Sequence, residues 1–406
     1  MKKYINYDES LTILSNMEFK GKNKEKLFLI NALGRTIAED IIANSNSPEH
    51  PTSGMDGYAI KFEDQKNEFI EIIDKNPAGT VIDSEVVLGT TIKTFTGSLM
   101  PKGADTLIPV ENVEVKDNKI YIINSVPKGF AVRSIGENYK KGEILIKAGS
   151  VVGYAEIGVL ASLNIGQIYV KKSPVVSIAS TGSEILDIGE EQINNAQIRS
   201  SNHLTVEALA KKAGANTVQM GIVKDDMDTI TEMMTNALEV SDILVTTGGV
   251  SKGDYDFVQD VVKERLGAEV LFHGVKVKPG GPLLIAKKEN KLIISLPGFA
   301  YSSTVCAILY LIPMIYKFMG TKKTHKIVKA RIDIDFPRKM PKTVFTACNI
   351  KYEDGEYKID FDGKKQGTSA ILTNMLGTPA LLIQKEDSED IKANDLVDVL
   401  LLDELK

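Results

Sequence analysis

The sequence contains no tryptophan, few cysteines and histidines, and no large excess of either charge. Its two cysteines, Cys306 and Cys348, lie far apart and in no metal-ligand spacing, which argues against a disulfide framework and indicates a reducing compartment. The four histidines are scattered, so no local pattern predicts a histidine metal site or a Ser-His-Asp triad. The net charge of −5 does not favour a general nucleic-acid binder, whose footprint would be basic.

Long apolar segments are also missing from the sequence. The N-terminus lacks the apolar core of a signal peptide, and the longest apolar run, 305–316, is too short to span a bilayer and contains Pro313. A chain of 406 residues is long enough for several domains, so core size is not limiting. We therefore expect a soluble, cytoplasmic protein that binds neither nucleic acid nor membrane.

Apolar periodicity divides the first part of the chain into helical and strand-like regions. Residues 1–44 are predicted to be helical, including an amphipathic segment at 27–42, and helical periodicity returns at 151–162. Between them lie short predicted strands separated by glycines. The pattern predicts a helical linking region of 1–44 and 146–172 and an inserted β domain of 45–145. The predicted strands of this β domain are 58–60, 69–73, 91–96, 105–109, 113–115 and 119–123.

Strands and helices alternate across 173–320, which predicts a central doubly wound α/β domain with a mainly parallel sheet. The predicted strands are 175–179, 217–222, 242–245, 270–277, 283–286 and 292–296, and the predicted helices are 202–213, 227–238, 256–266 and 301–318. Residues 325–406 are strand-like again and predict a separate C-terminal β domain of barrel-like type. The predicted fold class is therefore multidomain, α/β plus β.

The stretch 242–256 (DILVTTGGVSKGDYD) joins a buried strand to a glycine-rich loop and the start of a helix. Gly248 and Gly249 let the backbone turn tightly and come close to a ligand, with amides free to face an anion. Ser251 then offers a hydroxyl group, and Asp256 offers a carboxylate that suits a hydrated magnesium ion bridging to a phosphate. A capped helix start with solvated acids explains the same pattern equally well, so both interpretations stay open.

Polar or glycine-rich segments follow several strands of the predicted sheet. They are 180–184, 224–226, 248–256, 276–282 and 296–298. Ligands of doubly wound sheets bind beyond the carboxyl ends of the strands, so segments that follow parallel strands should share one rim. Loops between strands and helices are often polar and glycine-rich without binding anything, but the convergence favours a binding site.

A series of motifs follows the order found in one known family. The motifs are 53–59 (SGMDGYA), 96–105 (TGSLMPKGAD) with 109–111 (PVE), 133–137 (RSIGE), 180–184 (STGSE), 247–256 (TGGVSKGDYD), 278–280 (KPG) and 296–298 (LPG). In these motifs, and over nearly its whole length, the chain resembles the molybdopterin molybdenumtransferases. This family is also called the molybdenum insertases and includes the E domain of gephyrin.

The resemblance implies a fold, a reaction and an assembly. The α/β domain would be molybdopterin-binding-like. The enzymes of this family insert molybdenum from molybdate into adenylylated molybdopterin and release AMP, and they use Mg²⁺. They are elongated homodimers in which the site lies between the α/β domain of one subunit and the β domain of the other. Contact with the molybdopterin adenylyltransferase, which delivers the substrate, is a further expectation.

The resemblance and the substrates together suggest roles for individual residues. Molybdate is a tetrahedral dianion, so Lys278 is predicted to clamp it, with Lys276 facing the same way from the same strand. Asp256 is predicted to hold Mg²⁺ together with Asp225 or Asp226. With Asp256 and Lys278, Glu184 completes the predicted catalytic set. The other predicted substrate-binding residues are Asp56, Thr96, Glu137, Gly248, Gly249, Ser251 and Ser369, of which Asp56 and Thr96 would come from the partner's β domain.

Several of these residues have a structural alternative, and the sequence departs from the family pattern at three places. A helix cap also explains Asp256, a solvated strand end also explains Lys278, and a turn former also explains Asp56. Gly281 stands where the family often has a second lysine, 299–300 (FA) where it has Asn-Pro, and Asn138 where it often has Asp. These changes keep open a non-catalytic or specialised paralogue that binds and carries molybdopterin or the finished cofactor. An adenylylating enzyme and a scaffold are further alternatives.

Overall fold

The computed structural model describes residues 4–19, 24–250, 257–321, 323–365, 368–377 and 379–402. Its internal contacts divide the chain into two compact units. The first, here called the main unit, comprises Met1–Lys26, Gly34–Thr36 and Tyr169–Lys406, and the second, the inserted unit, comprises Leu27–Leu33 and Ile37–Ile168. Strands Lys24–Phe28 and Gln167–Lys171 lie where the chain passes between the units.

The inserted unit is built on one six-stranded sheet. Its strands, in spatial order, are Thr106–Pro109, Gly57–Ile60, Thr90–Thr94, Ile70–Asn76, Lys119–Ile122 and Val113–Lys116. Apolar side chains from one face of this sheet, among them Ile60, Ile70 and Ile108, form the core of the unit. Six strands predicted from alternation and turn residues are therefore confirmed to within a few residues.

Shorter elements complete the inserted unit. The strand Ile41–Ile42 pairs with Ile144–Ile146, and Thr52–Ser53 pairs with Val132–Arg133. The predicted helix at 151–162 is present as Tyr154–Ser162. Single 3₁₀ turns occur at Phe62–Lys66 and Val110–Asn112.

The helix predicted across 27–42 is wrong. This segment contains a 3₁₀ turn, Leu29–Ala32, and then Gly34 at a φ of +77°, a left-handed conformation that a helix cannot contain. Ile30 is 71% exposed whereas Ile37 is fully buried, so the apolar side chains do not share one helical face. The helical spacing of apolar residues was misleading here because half of them face solvent.

The main unit contains the predicted α/β sheet. In spatial order its strands are Asn216–Val223, Val175–Thr181, Ile243–Thr247, Lys291–Leu296, Leu284–Lys288 and Glu269–His273. The first four strands are mutually parallel, and the last two pairings are antiparallel. A mainly parallel sheet is thereby confirmed.

Helices cover both faces of this sheet, as expected for a doubly wound fold. Asn202–Lys212 and the long helix Ala300–Phe318 pack on one face through residues such as Val206 and Val305. Met227–Val240 packs on the other face, as does the helical segment formed by Val258–Asp260 and the π turn Val261–Arg265. The N-terminal helix, Tyr7–Ser15, joins the first layer, where Ser10 Oγ lies 2.9 Å from Tyr310 Oη.

The helix Ala300–Phe318 is long and apolar enough, by length and composition alone, to cross a membrane. It consists of Ala300–Cys306, a π turn at Ala307–Leu311 and Ile312–Phe318. Its most apolar stretch is 83% buried inside the protein, where it packs on the sheet. The apolar character of this helix is therefore accounted for by the core of the main unit.

The C-terminal part of the main unit is a closed barrel. Its strands, in order around the barrel, are Thr343–Glu353, Glu356–Asp360, Ile327–Ile332, Leu396–Leu401 and Pro379–Gln384, and the last pairs back to the first. Side chains such as Ala330, Leu382 and Val399 fill its interior. The 3₁₀ turn Leu372–Met375 lies between two of these strands in the chain. The barrel-like fold predicted for this region is confirmed.

The strand predicted at 270–277 is broken in the structure. Glu269–His273 ends at Gly274, which has a φ of +90° and lies against the ring of Tyr4. The chain then leaves the sheet, and the two-residue strand Val277–Lys278 pairs in parallel with Thr343–Glu353 of the barrel. This excursion carries Lys278 to the place where the α/β part and the barrel meet.

Candidate active site

A cavity of about 740 Å³ lies beyond the carboxyl ends of the parallel strands. Its wall includes segments that follow Val175–Thr181, Asn216–Val223, Ile243–Thr247 and Lys291–Leu296, together with the loop that starts at Lys278. Of the residues selected from sequence, the structure brings six into this wall. They are Glu184, Asp225, Gly248, Gly249, Lys278 and Ser369. The segments predicted to share one rim therefore do so, while the roles of their residues stay predictions.

The loop with Gly248 and Gly249 lies against the end of strand Val175–Thr181. Gly248 and Gly249 have φ angles of +97° and +64°, and a Cβ on either would come within 3.0 Å of the Thr181 hydroxyl oxygen. Thr181 is 3% exposed, and its hydroxyl has no hydrogen-bond partner among the described residues. A buried hydroxyl without a partner is costly, so a polar group placed at this loop would be stabilised by Thr181.

Two neighbouring aspartates have different surroundings. Asp225 lines the cavity, and its Oδ2 accepts a hydrogen bond of 3.1 Å from the Ser183 amide. Asp226 instead caps the helix Met227–Val240, where its Oδ1 accepts from the amide and hydroxyl of Thr229 at 2.8 and 2.7 Å. The hydrogen bond from the Thr229 amide, with the one from its hydroxyl, lowers the pKa of Asp226. The structure therefore brings Asp225, and not Asp226, to the cavity.

Among the described residues, few carboxylates line the large cavity. Glu184 and Asp225 both contribute to the wall. Within the described ranges, no three His, Cys, Asp or Glu side chains cluster as candidate metal ligands. Ser251 and Asp256 lie outside the described residues, as do Lys252 and Asp254.

Lys278 and Lys276 are not equivalent, although they were predicted to face the same way. Lys278 contributes to the wall of the large cavity, whereas Lys276 does not. The Lys276 ammonium group lies 3.9 Å from Glu386 Oε2. The expected similarity assumed one regular strand, but the strand has only two residues and Lys276 precedes it.

A second, smaller cavity of about 80 Å³ opens beside Lys278, within the main unit. Lys278, Pro279, Met340 and Ser369 line both cavities. The strand register explains why Lys278 and Gln384 share this space: Val344 pairs with Lys278 on one side and with Gln384 on the other. Residues directly opposite in neighbouring strands point to the same face of a sheet.

The small cavity is rich in hydrogen-bond donors. Lys339 and Lys365 also line it, and neither their ammonium groups nor that of Lys278 forms an ion pair in the described part of the chain. Gln384 is 3% exposed, and its Nε2 lacks a hydrogen-bond partner among the described residues. Asn374 fixes the Lys365 backbone by donating to its carbonyl at 2.7 Å and accepting from its amide at 2.9 Å. These groups present cations and an unused amide donor to a small anion.

The predicted residues of the inserted unit form a separate group. Thr96 donates to Asp56 Oδ1 from its amide at 2.8 Å and from its hydroxyl at 2.7 Å. The Thr96 amide, followed by its hydroxyl, lowers the pKa of Asp56. Glu137 accepts a 3.1 Å hydrogen bond from Arg133. Backbone hydrogen bonds from Gly97 to Ser53 and from Gly54 to Ala131 hold the three motif loops of this unit next to one another.

Sequence reasoning missed several residues that line the cavities. They are Thr181, Ser302 and Lys342 in the large cavity, Lys339, Lys365 and Gln384 in the small one, and Phe299, which was noted only as a departure from the family. Thr181 lies inside the motif 180–184, so that motif carried the signal. Ser302 is 2% exposed and donates from its amide to the Ser369 carbonyl at 3.2 Å, a contact that only the fold creates.

A Ser-His-Asp arrangement does occur through the fold. His203 is 3% exposed, with Nδ1 2.8 Å from Ser200 Oγ and Nε2 3.4 Å from Asp187 Oδ1. Ser200 Oγ also lies 3.4 Å from Ser180 Oγ, which in turn lies 2.8 Å from Thr247 Oγ1. None of the three triad-like residues lines either cavity, so this chain of hydrogen bonds is a support for the strand ends beneath the loops.

Comparison with known proteins shows which sequences this chain is similar to. A family model described as "MoeA N-terminal region (domain I and II)" matches residues 5–164, and one described as "Probable molybdopterin binding domain" matches residues 177–317. A molybdopterin molybdenumtransferase of Bacillus subtilis is 29% identical over 411 residues, covering 98% of this chain and 94% of the relative. One of Staphylococcus epidermidis is 30% identical over 382 residues, with coverages of 92% and 90%.

Solved structures give the same result. A crystal structure titled as the molybdopterin biosynthesis moeA protein of Pyrococcus horikoshii OT3 superposes with a TM-score of 0.83 at 30% identity, covering 98% of this chain and all of the other. A molybdenum cofactor biosynthesis protein of Pyrococcus furiosus superposes with a TM-score of 0.60 at 20% identity, with coverages of 98% and 100%, which supports the fold alone.

Proposed function

This chain belongs to the molybdopterin molybdenumtransferase family, and on that premise we propose that its two adjoining cavities bind adenylylated molybdopterin and molybdate. The chain is a transferase of molybdenum cofactor biosynthesis. The reaction we propose inserts molybdenum from molybdate into the adenylylated pterin substrate, with release of AMP and with Mg²⁺ as the metal ion.

One observation carries this proposal: Lys278 lines both cavities. The large cavity has the size of a ligand site, and the small one suits a compact anion. An organic ligand in the large cavity and an anion in the small one would therefore both contact Lys278. Insertion of an oxyanion's metal into an organic ligand requires the two to lie next to each other.

The small cavity is the proposed molybdate site. Lys278, Lys339 and Lys365 would balance the two negative charges of the anion, because charge-assisted hydrogen bonds are the strongest available to an oxyanion. Ser369 and the unpartnered Nε2 of Gln384 would add neutral donors. Binding an anion here would satisfy an amide that the described residues leave unpaired.

The large cavity is the proposed site of the adenylylated pterin. The backbone at Gly248 and Gly249 can approach a phosphate closely, and the unpaired Thr181 hydroxyl can donate to it. Magnesium keeps most of its water ligands in proteins and needs only one or two carboxylates, so Asp225 fits it together with Asp256, the ligand predicted from sequence. Glu184 is a further carboxylate of the same cavity. When bound, the ion would neutralise charge on the phosphoanhydride.

We propose a homodimer as the active state. Asp56, Thr96 and Glu137 belong to the inserted unit, whereas the cavities belong to the main unit, and the family resemblance brings such groups together between subunits. Mixing the variants Asp56→Asn and Lys278→Ala tests this. If sites are shared, mixed dimers regain one intact site, and activity returns to a fraction of wild type. No recovery on mixing, with exchange of subunits demonstrated, contradicts a shared site.

The central experiment combines the purified protein with adenylylated molybdopterin, molybdate and Mg²⁺. We expect release of AMP and formation of the molybdenum cofactor in equal amounts. Binding of the pterin without AMP release would instead support a carrier, the second candidate. The absence of a lysine at position 281 favours that candidate, because it removes one cation from the wall of the large cavity. We place the protein in the cytoplasm and expect contact with the adenylyltransferase that makes the substrate.

A further inference from the structure

We propose that Phe299 is a stacking platform for the planar heteroaromatic ring of the substrate, a purine or a pterin. This inference rests on the proposed function, because it concerns a ligand in the large cavity. Phe299 lines that cavity, and its side chain is 64% exposed. In the described part of the chain its ring has no aromatic neighbour.

The backbone around Phe299 is held on both sides. Asn202, which is 8% exposed, donates to the Gly298 carbonyl at 2.6 Å. The Phe299 carbonyl accepts from the Ser303 amide at 2.8 Å, which forms part of the first turn of the long helix. The ring is therefore attached to a fixed backbone and can move only through its two side-chain torsions. Such a ring loses little entropy when a ligand orders it.

Two further apolar side chains line the same cavity. They are Ile185 and Ile198, which are direct partners in a pair of short parallel strands. Ile198 is 56% exposed, so its side chain also faces open space. The lining also includes the polar groups Glu184, Asp225 and Lys278. A ligand that combines a flat apolar ring with charged groups matches this mixed lining.

Single exposed apolar residues are common on protein surfaces and need no special cause. Phe299 differs because it lines a cavity of ligand size, and that cavity has further apolar side chains in its lining. Planar bases stack on aromatic faces with little dependence on their identity, so a purine and a pterin share the required chemistry. The experiment has to tell these two sources apart.

The test measures binding by calorimetry with three probes: AMP, a soluble pterin such as neopterin, and ribose 5-phosphate, which lacks a ring system. Phe299→Leu keeps an apolar side chain but removes the ring. We expect it to weaken binding of AMP or of the pterin roughly 5- to 100-fold, the range of base stacking on an aromatic ring, and to leave ribose 5-phosphate unchanged. The probe that responds identifies the ring.

Two further variants make the test specific. Phe299→Tyr retains the ring and should bind like wild type. Tyr154→Leu removes an aromatic ring that is 91% exposed on the inserted unit and should change nothing. The proposal is overturned if Phe299→Leu binds both ring probes as tightly as wild type, if wild type binds neither, or if ribose 5-phosphate is weakened equally.

The outcome is separable from that of the proposed function. In the insertion assay, Phe299→Leu should raise KM for the adenylylated substrate and leave kcat nearly unchanged. A fully active variant with unaltered KM and unaltered ring binding refutes the stacking role but leaves the insertase function standing. A wild-type protein that is inactive in the insertion assay but binds AMP through Phe299 refutes the insertase function and leaves the stacking role standing.

Discussion

Gly280 packs against Cys306 so closely that a Cβ on Gly280 would overlap the cysteine sulphur. Gly280 has a φ of +95°, and Cys306 lies fully buried in the long helix of the α/β part. The thiol also lies 3.7 Å from the Gly280 carbonyl oxygen. This contact fixes the loop that follows Lys278 onto a rigid element, so it sets the position of the lysine shared by both cavities.

Gly280→Ala should therefore displace the lysine loop. We expect molybdate affinity to fall at least about tenfold and the free energy of unfolding to fall by about 1–3 kcal/mol, since the new methyl group is overpacked and the backbone is strained. Calorimetry and urea unfolding measure the two effects. Gly355→Ala is the matched control: its φ is +85°, but no atom lies within 4 Å of the added Cβ. Equal loss of molybdate affinity in the control would contradict the packing argument.

Lys278→Ala and Lys276→Ala should differ sharply. Lys278 faces both cavities, so its removal should lower the rate of cofactor formation by about 10²–10³-fold, as loss of one key charge-stabilising donor does. Lys276 lies beside Glu386 instead, and its removal should change the rate less than about threefold. Initial rates at saturating and limiting molybdate measure both. A similar loss of rate in the two variants would contradict this difference and support the prediction from sequence that Lys276 and Lys278 act together.

Asp256→Asn should abolish AMP release while leaving the unfolding transition unchanged. The reason is that a neutral amide, although it has almost the same shape, binds Mg²⁺ much more weakly than a carboxylate does. The rate of AMP release is measured across a range of Mg²⁺ concentrations. Asp226→Asn is the control: asparagine also caps helices well, so this variant should keep its activity. Wild-type turnover in Asp256→Asn would show that the metal is held elsewhere.

Glu207 should make stability depend on pH. A hydrogen bond from Lys211, then one from Gln219, lowers the pKa of Glu207 from 4.5 to about 2. Because the folded-state pKa is depressed, the stabilisation is complete above pH 4.5 and is lost as pH falls through about 2. Glu207→Gln should lower the free energy of unfolding by about 1 kcal/mol at pH 7, a value reduced for solvent screening.

Urea unfolding at several pH values measures this effect of Glu207. The cost of Glu207→Gln should shrink steadily between pH 4.5 and 2. Glu232→Gln, at an exposed position on another helix of the main unit, is the control and should have little effect at any pH. A constant cost across the pH range would mean that the hydrogen bonds act independently of the charge.

The sequence was sufficient for the order of the elements in the α/β part and the inserted sheet. Those predictions succeeded because buried strands are short apolar runs bounded by glycine or polar residues, a signal that neighbouring residues carry. The convergence of the loops could be predicted for a similar reason: in a parallel sheet, the direction of each strand places its carboxyl end at the same rim.

The failures have long-range causes. The apolar run 270–277 looks like one strand, but its break depends on Tyr4, far away in sequence, whose ring lies against Gly274. The small cavity exists because Val344 pairs with both Lys278 and Gln384, and no local pattern contains such a register. The helix prediction for 27–42 failed because the apolar residues have helical spacing, although Ile30 is exposed to solvent and does not pack in the core.

The pairing of Val277–Lys278 with the barrel limits how this protein can be dissected. The α/β part is not a module that can be excised or recombined by itself, because the barrel strand Thr343–Glu353 forms one wall of the proposed molybdate site. A truncated chain ending near residue 320 would keep the six-stranded sheet of the α/β part. It would lose the barrel strand with which Lys278 pairs. Swapping barrels between relatives should accordingly alter the choice of oxyanion, even though the exchanged piece carries no glycine loop.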